Sequence, residues 1–203
     1  MKAAIYYGKG DIRVESSFPS PQIGPWEVLV KVMACGVCGT DLHIYSGAKG
    51  ATDCDPPVIL GHEFWGEIVE LTDRCNERRE KLGMEPIKQG DLVVADPNIV
   101  CLHGEARNWR REGGKCYFCE QFLSALCERD QSIGVHFNGG FAQYCKLPAE
   151  QVVKLPEGDK EFWSKRGYFA EPLACILWGG ERLQPEPGMS VAIMGAGPIG
   201  SLF

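Results

Sequence analysis

Apolar positions along this chain fall into short runs at Ala3–Tyr7, Ile12–Glu15, Val28–Ala34, Glu67–Leu71, Leu92–Ala95, Phe141–Leu147 and Gln151–Leu155. Glycine, proline, aspartate or asparagine bounds each run, the punctuation that predicts an all-β barrel or sandwich. Two stretches break the rhythm, Arg74–Gln89 and Leu102–Lys115, both dense in charge and poor in apolar periodicity. They are expected to be solvated surface insertions. After Leu155-Pro156-Glu157-Gly158 the pattern changes to a long, largely apolar segment, Glu161–Leu183, with Pro172 placed where a helix could begin. A linking helix is expected there. Pro185-Glu186-Pro187-Gly188 then ends it, and the apolar run Ser190–Met194 enters Gly195-Ala196-Gly197-Pro198-Ile199-Gly200.

A strand that feeds a glycine turn opens a βαβ nucleotide fold. Gly195 would allow the tight turn, Gly197 the close approach of a pyrophosphate, and Gly200 the packing of helix on strand. Such a fold needs further strands and helices to cover its sheet, so the chain reads as a truncated enzyme. The acidic or basic residue about 20 positions beyond the turn, which separates NAD from NADP, is not in the sequence, so both coenzymes stay open.

Composition adds modest constraints. At 203 residues the chain suffices for one sizeable domain or somewhat more. Lysine and arginine number 21 against 27 acidic residues, and a net charge of −6 offers no electrostatic footprint for nucleic acid or an anionic membrane. The start, MKAAIYYGKGDIRVES, has no charged region followed by an apolar core, and no apolar run reaches spanning length. A cytoplasmic location is therefore expected. Ten cysteines in a reducing compartment point to metal ligation and burial rather than disulfides.

Cys38, His62 and a glutamate supply the donor types of a catalytic zinc site, which keeps one position open for water or substrate. Gly36, Gly39, Gly61 and Gly66 are expected to let the backbone turn tightly around such an ion. Cys35 and Cys38 also spell CxxC, but no βαβ context precedes them to favour a redox pair. A second donor set, Cys101, Cys116, Cys119 and Cys127, could complete a closed tetrahedral shell that staples a small lobe. Fourteen residues separate Cys101 from Cys116, so the intervening loop has to bulge away from the thiolates.

In order, CGVCGTDLH at 35–43, GHEFWGEIVE at 61–70, PNIVC at 97–101 with CYFC at 116–119 and Cys127, AEPLAC at 170–175 and GAGPIG at 195–200 run the length of the chain. Together they resemble the zinc-dependent medium-chain alcohol and polyol dehydrogenases, in the branch of the sorbitol and threonine dehydrogenases. The resemblance implies a mainly β fold: a GroES-like β-barrel catalytic domain at 1–155, with a zinc lobe at about 97–130, followed by the first strand of a Rossmann α/β domain. Residues 156–203 would be the linking helix and the start of an incomplete nucleotide-binding domain. It implies zinc at the catalytic and lobe sites and NAD or NADP at Gly195, Gly197 and Gly200. Cys38 and His62 would be ligands, Glu63 would coordinate or stand directly behind the metal, and Glu171 would be the third candidate. A glutamate in the EPLA segment matches the polyol and threonine branches, where the alcohol branch has a cysteine near that position. Cys175, one turn from Glu171, is expected to pack as a small buried hydrophobe.

Thr40 and His43 resemble the hydroxyl-to-histidine relay that carries the alcohol proton toward solvent; the alternative for Thr40 is to cap a helix beginning near Asp41. The insertion after Cys101, the charged insertion before Gly90-Asp91 and the stop at Phe203 depart from the family pattern. The leading expectation is hydride transfer between a small alcohol or polyol and a nicotinamide coenzyme, in a homo-oligomer when the chain is complete. The alternative is a zinc-stapled β-domain without turnover. A zinc-free quinone-reductase-like relative is disfavoured by Cys38, His62 and Glu171. Thr40→Ala in the full-length protein should depress turnover more than metal content, checked by steady-state rates beside metal analysis; equal loss of both would assign Thr40 a structural role.

Overall fold

The computed structural model describes residues 1–101 and 115–203. Its elements run β1 (Ala3–Gly8), β2 (Asp11–Glu15), β3 (Glu27–Cys35), α1 (Gly39–Ser46), β4 (Val58–Ile59), β5 (Phe64–Leu71), α2 (Asp73–Lys81), β6 (Leu92–Ala95) and β7 (Asn98–Ile99). There follow α3 (Tyr117–Glu120), β8 (Gln131–Ser132), β9 (Tyr144–Pro148), β10 (Val152–Lys154), α4 (Lys160–Ser164), α5 (Ala170–Leu183) and α6 (Pro198–Leu202). Seven of the strands were expected from the apolar runs. The additions β4, β7 and β8 have two residues each, too few to leave a periodicity.

Three sheets form, ordered β2-β1-β4, β10-β6-β5-β3-β9 and β7-β8. The central pair, β3 and β5, is antiparallel from Val28↔Leu71 to Cys35↔Phe64. Val28, Val30, Ile68, Val93, Leu147 and Val152 are each 1% exposed or less, and they form the interior of the large sheet. The run expected as one strand from Phe141 divides its pairing between sheets. Phe141 donates to Leu60 O at 3.0 Å and accepts from Ala4 N at 2.8 Å, whereas Tyr144–Pro148 pair with β3. This handover joins the edge of one sheet to the other and encloses the core.

The stretch Arg74–Gln89 is not the solvated insertion its charges suggested. Its first half is α2, whose Cys75 and Arg79 are buried. Arg79 Nε donates to Glu85 O at 2.6 Å, and Nη1 donates to Ala149 O and Val152 O at 2.7 and 2.8 Å. Arg78 pairs with the buried carboxylate of Glu150 at 3.2 Å. A guanidinium carries donors in a fixed fork, so it enters an interior wherever backbone carbonyls receive it, and charge alone does not report that. The second charged stretch lies outside the described residues up to Lys115.

Beyond the barrel strands, the turn Gly167–Phe169 seats on the Trp65 ring so closely that a Cβ on Gly167 would collide with it. That contact fixes where α5 starts, with Pro172 in its first turn, where a missing N–H costs no intrahelical bond. Cys175 is exposed rather than buried; it shares a face of α5 with Glu171, one turn earlier, and the buried residue is its neighbour Ile176. The expected strand Ser190–Met194 is absent as a strand: no neighbouring strand among the described residues supplies the ladder that would define it. The turn after it does form, with Gly195 at φ +113° and Gly197 capping α6. Gly200 approaches Gly195 O too closely for any side chain.

Arg79→Met should lower the free energy of unfolding by about 3 kcal/mol, since the buried carbonyls of Ala149 and Val152, and that of Glu85, lose a charged donor. Urea denaturation monitored by tryptophan fluorescence measures it.

Candidate metal centre

Antiparallel pairing of β3 with β5 brings the segment after Cys35 and the segment before Phe64 to one end of the large sheet. Gly36 N donates to Glu63 O at 2.8 Å, and the glycine has no Cβ because Glu63 occupies that space. Gly61 takes φ +92°, a left-handed conformation that turns the chain into His62. The other two glycines serve differently: Gly39 begins α1 in open space, and Gly66 lies within β5 against Lys31 O. Ligand atoms of Cys38, His62 and Glu63 consequently lie within 4.8 Å of one another.

Asp41 holds this geometry, a role the sequence reading did not assign to it. Its Oδ2 accepts from Cys38 N at 2.8 Å and its Oδ1 from Gly61 N at 3.2 Å, so one buried carboxylate ties both donor loops together. The spacing was a usable signal, because an acidic side chain three residues after a helix N-cap is half of a capping box. Cys38 is the N-cap of α1 and Asp41 its third residue, which removes capping as the task of Thr40. Instead the Thr40 hydroxyl lies 3.7 Å from Cys38 Sγ. His43 is exposed on the following turn, and no hydrogen bond joins it to Thr40 among the described residues.

The electrostatics suit a cation. Contact with His62 is the main influence holding the Cys38 thiol below its ordinary value, against the opposing effect of burial. Burial pulls the His62 imidazole down, but Cys38 and Asp41 together leave it raised. Buried His62 Nδ1 has no hydrogen-bond partner and stands 3.9 Å from Asp41 Oδ1. Cys35, by contrast, is driven far up by burial and stays a neutral thiol, which argues against a reactive CxxC pair. A thiol and an imidazole in contact beside two carboxylates form a donor set that fits zinc.

Glu171 enters from α5 and stands outside the group of three, although its charge reaches His62. Burial is the chief cause that raises its carboxyl. It borders a cleft of about 630 Å³ lined also by Asp96, Asn98, Ala125, Cys175 and Trp178. No single run of sequence announced that cleft, because it forms between β6, the small lobe and α5.

The second donor set assembles in full. Ligand atoms of Cys101, Cys116, Cys119 and Cys127 lie within 4.8 Å of one another. Cys116 N donates to Cys101 Sγ at 3.1 Å and Cys101 N to Cys127 Sγ at 3.4 Å. Backbone donation, first from Cys119, brings the Cys116 thiol down to about 6, while burial pushes Cys119 and Cys127 up. Four sulfurs so close cannot all ionise without a cation between them, and the set fits a closed tetrahedral zinc shell.

Asp41→Ala should cost about 2 kcal/mol and speed hydrogen exchange at the Cys38 and Gly61 amides, both of which lose their acceptor. Unfolding titrations and amide exchange test this without reference to any metal.

The model of the alcohol dehydrogenase GroES-like domain matches residues 24–157. L-threonine 3-dehydrogenase of Pyrococcus furiosus is 37% identical over 100% of this chain and 50% of its own length. Sorbitol dehydrogenase of Bacillus subtilis is 32% identical, over 98% of this chain and 50% of its own. A crystal structure from Sinorhizobium meliloti 1021, described as a zinc-binding dehydrogenase bound to NADP, superposes with a TM-score of 0.79 at 35% identity, covering 99% of this chain and 51% of that one. The chain thus spans about half the length of the relatives it matches. Its strands, its two donor sets and these likenesses agree, and the chain belongs to the alcohol dehydrogenase GroES-like domain family.

Proposed function

We propose that this chain is the metal-bearing part of a zinc-dependent dehydrogenase that transfers hydride between a small alcohol or polyol and NAD or NADP. The observation that carries the reading is the convergence of Cys38, His62 and Glu63 within 4.8 Å, beside a cleft that Glu171 borders. The names of the threonine and sorbitol dehydrogenase relatives support a secondary alcohol on a polyol or amino alcohol.

Cys38, His62 and a carboxylate from Glu63 or Glu171 would hold the catalytic zinc. When bound, such an ion polarises an oxygen ligand and makes a hydroxyl easier to deprotonate. The chain's own residues do the rest. Asp41 fixes the spacing of the donor loops through Cys38 N and Gly61 N. Thr40 Oγ1 is the hydroxyl that touches the donor set and would take up the alcohol proton, and His43, exposed on the next turn of α1, would release it to solvent. The cleft, walled by Trp178, Asn98 and Ala125, seats the substrate beside Glu171. Cys101, Cys116, Cys119 and Cys127 would hold a structural zinc that fixes the lobe bearing Ala125.

In this reading residues 1–155 are the GroES-like catalytic domain, with the lobe at about 97–130, and 156–203 carry the linking helix and the start of the nucleotide-binding domain. The turn Gly195, Gly197 and Gly200, with α6 opening after it, is the place for the coenzyme pyrophosphate. In the same reading the complete protein is a cytoplasmic homo-oligomer; no helix among the described residues is long and apolar enough to cross a membrane.

Metal analysis of purified protein should find close to two zinc ions per chain, and Cys38→Ser should lower this to about one with the fold retained. Folded protein never exposed to chelator that holds no zinc would overturn the reading. Two zinc ions without coenzyme-dependent alcohol oxidation by the full-length protein would leave a metal-stapled domain without turnover.

A further inference from the structure

Where the chain passes from one sheet to the other, the fold leaves another cavity, of about 320 Å³, which shares no residue with the cleft beside Glu171. Its walls are Phe18, Pro19, Pro21, Phe137 and Tyr144, and buried Cys145 of β9 lies among them. Pairing of Cys145 with Val30 and of Tyr144 with Lys31 sets the β9 side of the cavity. Val30 stands five residues before Cys35, so this place is roughly 16 Å along β3 from the donor loops.

The wall at residues 18–21 is held by the start of the chain. The Met1 ammonium donates to Phe18 O at 2.6 Å, and Phe18 packs against Ala3, Ile5 and Ile59. Asn138 Oδ1 accepts from Ile59 N at 3.0 Å, so the group that Asn138 has left to offer is its NH2. The Tyr144 hydroxyl has no hydrogen-bond partner among the described residues. Two residues bordering the cavity carry positive charge, Met1 by its ammonium and Lys146, and none of them carries a carboxylate. Glu27 pairs with Lys146 at 3.1 Å, whereas the Met1 ammonium meets a neutral carbonyl. The Cys145 thiol donates to Asn138 O at 3.4 Å and burial pushes it well up, so it stays neutral and supplies no nucleophile.

Aromatic and proline faces accept a flat ring, and a few donors at the margin of an apolar cavity orient what enters it. The volume is at the small end for ligand pockets, enough for one ring and a short arm. We propose that this cavity is a binding site for a small aromatic carboxylate, its ring between Phe18, Pro21 and Phe137 and its carboxylate toward the Tyr144 hydroxyl, the Asn138 NH2 and the Met1 ammonium. The site is independent of the metal reading, since it shares no residue with either donor set.

The test is ligand-observed saturation-transfer NMR with isothermal titration on the full-length protein as purified, using phenylacetate and 3-phenylpropanoate as probes. A Kd of about 1 mM is expected for ligands of about ten non-hydrogen atoms. Phenylacetamide, of the same shape without the charge, should bind about tenfold more weakly. Tyr144→Phe, which keeps the ring, should weaken phenylacetate about fivefold. Ser20→Trp, which fills the cavity from an exposed position on its border, should abolish binding. Cys38→Ser should leave it unchanged. Absence of saturation transfer to both probes at about 10 mM would overturn the inference. Equal affinity for phenylacetamide, or binding that both Tyr144→Phe and Ser20→Trp spare, would do the same. Loss of binding in Cys38→Ser would assign the probes to the metal centre and overturn it as well.

Discussion

The antiparallel ladder between β3 and β5 decides what this molecule can do. Its register runs to Cys35↔Phe64, so the chain leaving β3 and the chain entering β5 are neighbours by necessity. Cys38 lies three residues beyond one end of that ladder and His62 two residues before the other. Both strands are anchored by Val28, Val30 and Ile68, which no solvent reaches, and a slip of one residue would turn those side chains outward. The hydrophobic register of the barrel therefore sets the distance between a thiol and an imidazole that lie outside it.

Buried polar groups then lock what the ladder brings close. Asp41 does this at the donor loops, and Arg79 does it on the far side, where α2 clasps the carbonyls of Ala149 and Val152. In each case a charged side chain is desolvated, and in each backbone groups supply its hydrogen bonds. That form of compensation ties chain segments distant in sequence and leaves little freedom to move.

The two donor sets differ in kind for physical reasons. The four sulfurs of the lobe surround their centre and leave no room for a further partner, which suits a staple. Cys38, His62 and Glu63 approach from loops at one side, and α5 closes the other with Glu171 and the cleft. Trp65, seated against Gly167, sets the angle at which α5 arrives. The barrel core thus positions both sides of the candidate centre.

Much of this was legible in the amino-acid sequence. The β-rich class, the long strands, the linking helix and both donor sets follow from local patterns: apolar runs between turn residues, and cysteines and histidine among glycines. Those signals are local because strand propensity, turn chemistry and ligand type belong to single residues and their neighbours. What the sequence could not decide involves partners far apart in the chain. The burial of Arg79 depends on carbonyls 70 and more positions away. Ser190–Met194 has strand composition, but a strand exists only when another pairs with it, and none of the described residues does. Asp41 looked like an ordinary helix-start residue until Gly61 N was found on its second oxygen. That Glu63 joins Cys38 and His62 while Glu171 turns to Cys175 was decided by the packing of α5 on the barrel, because two carboxylates of equal chemistry differ only in where the fold holds them.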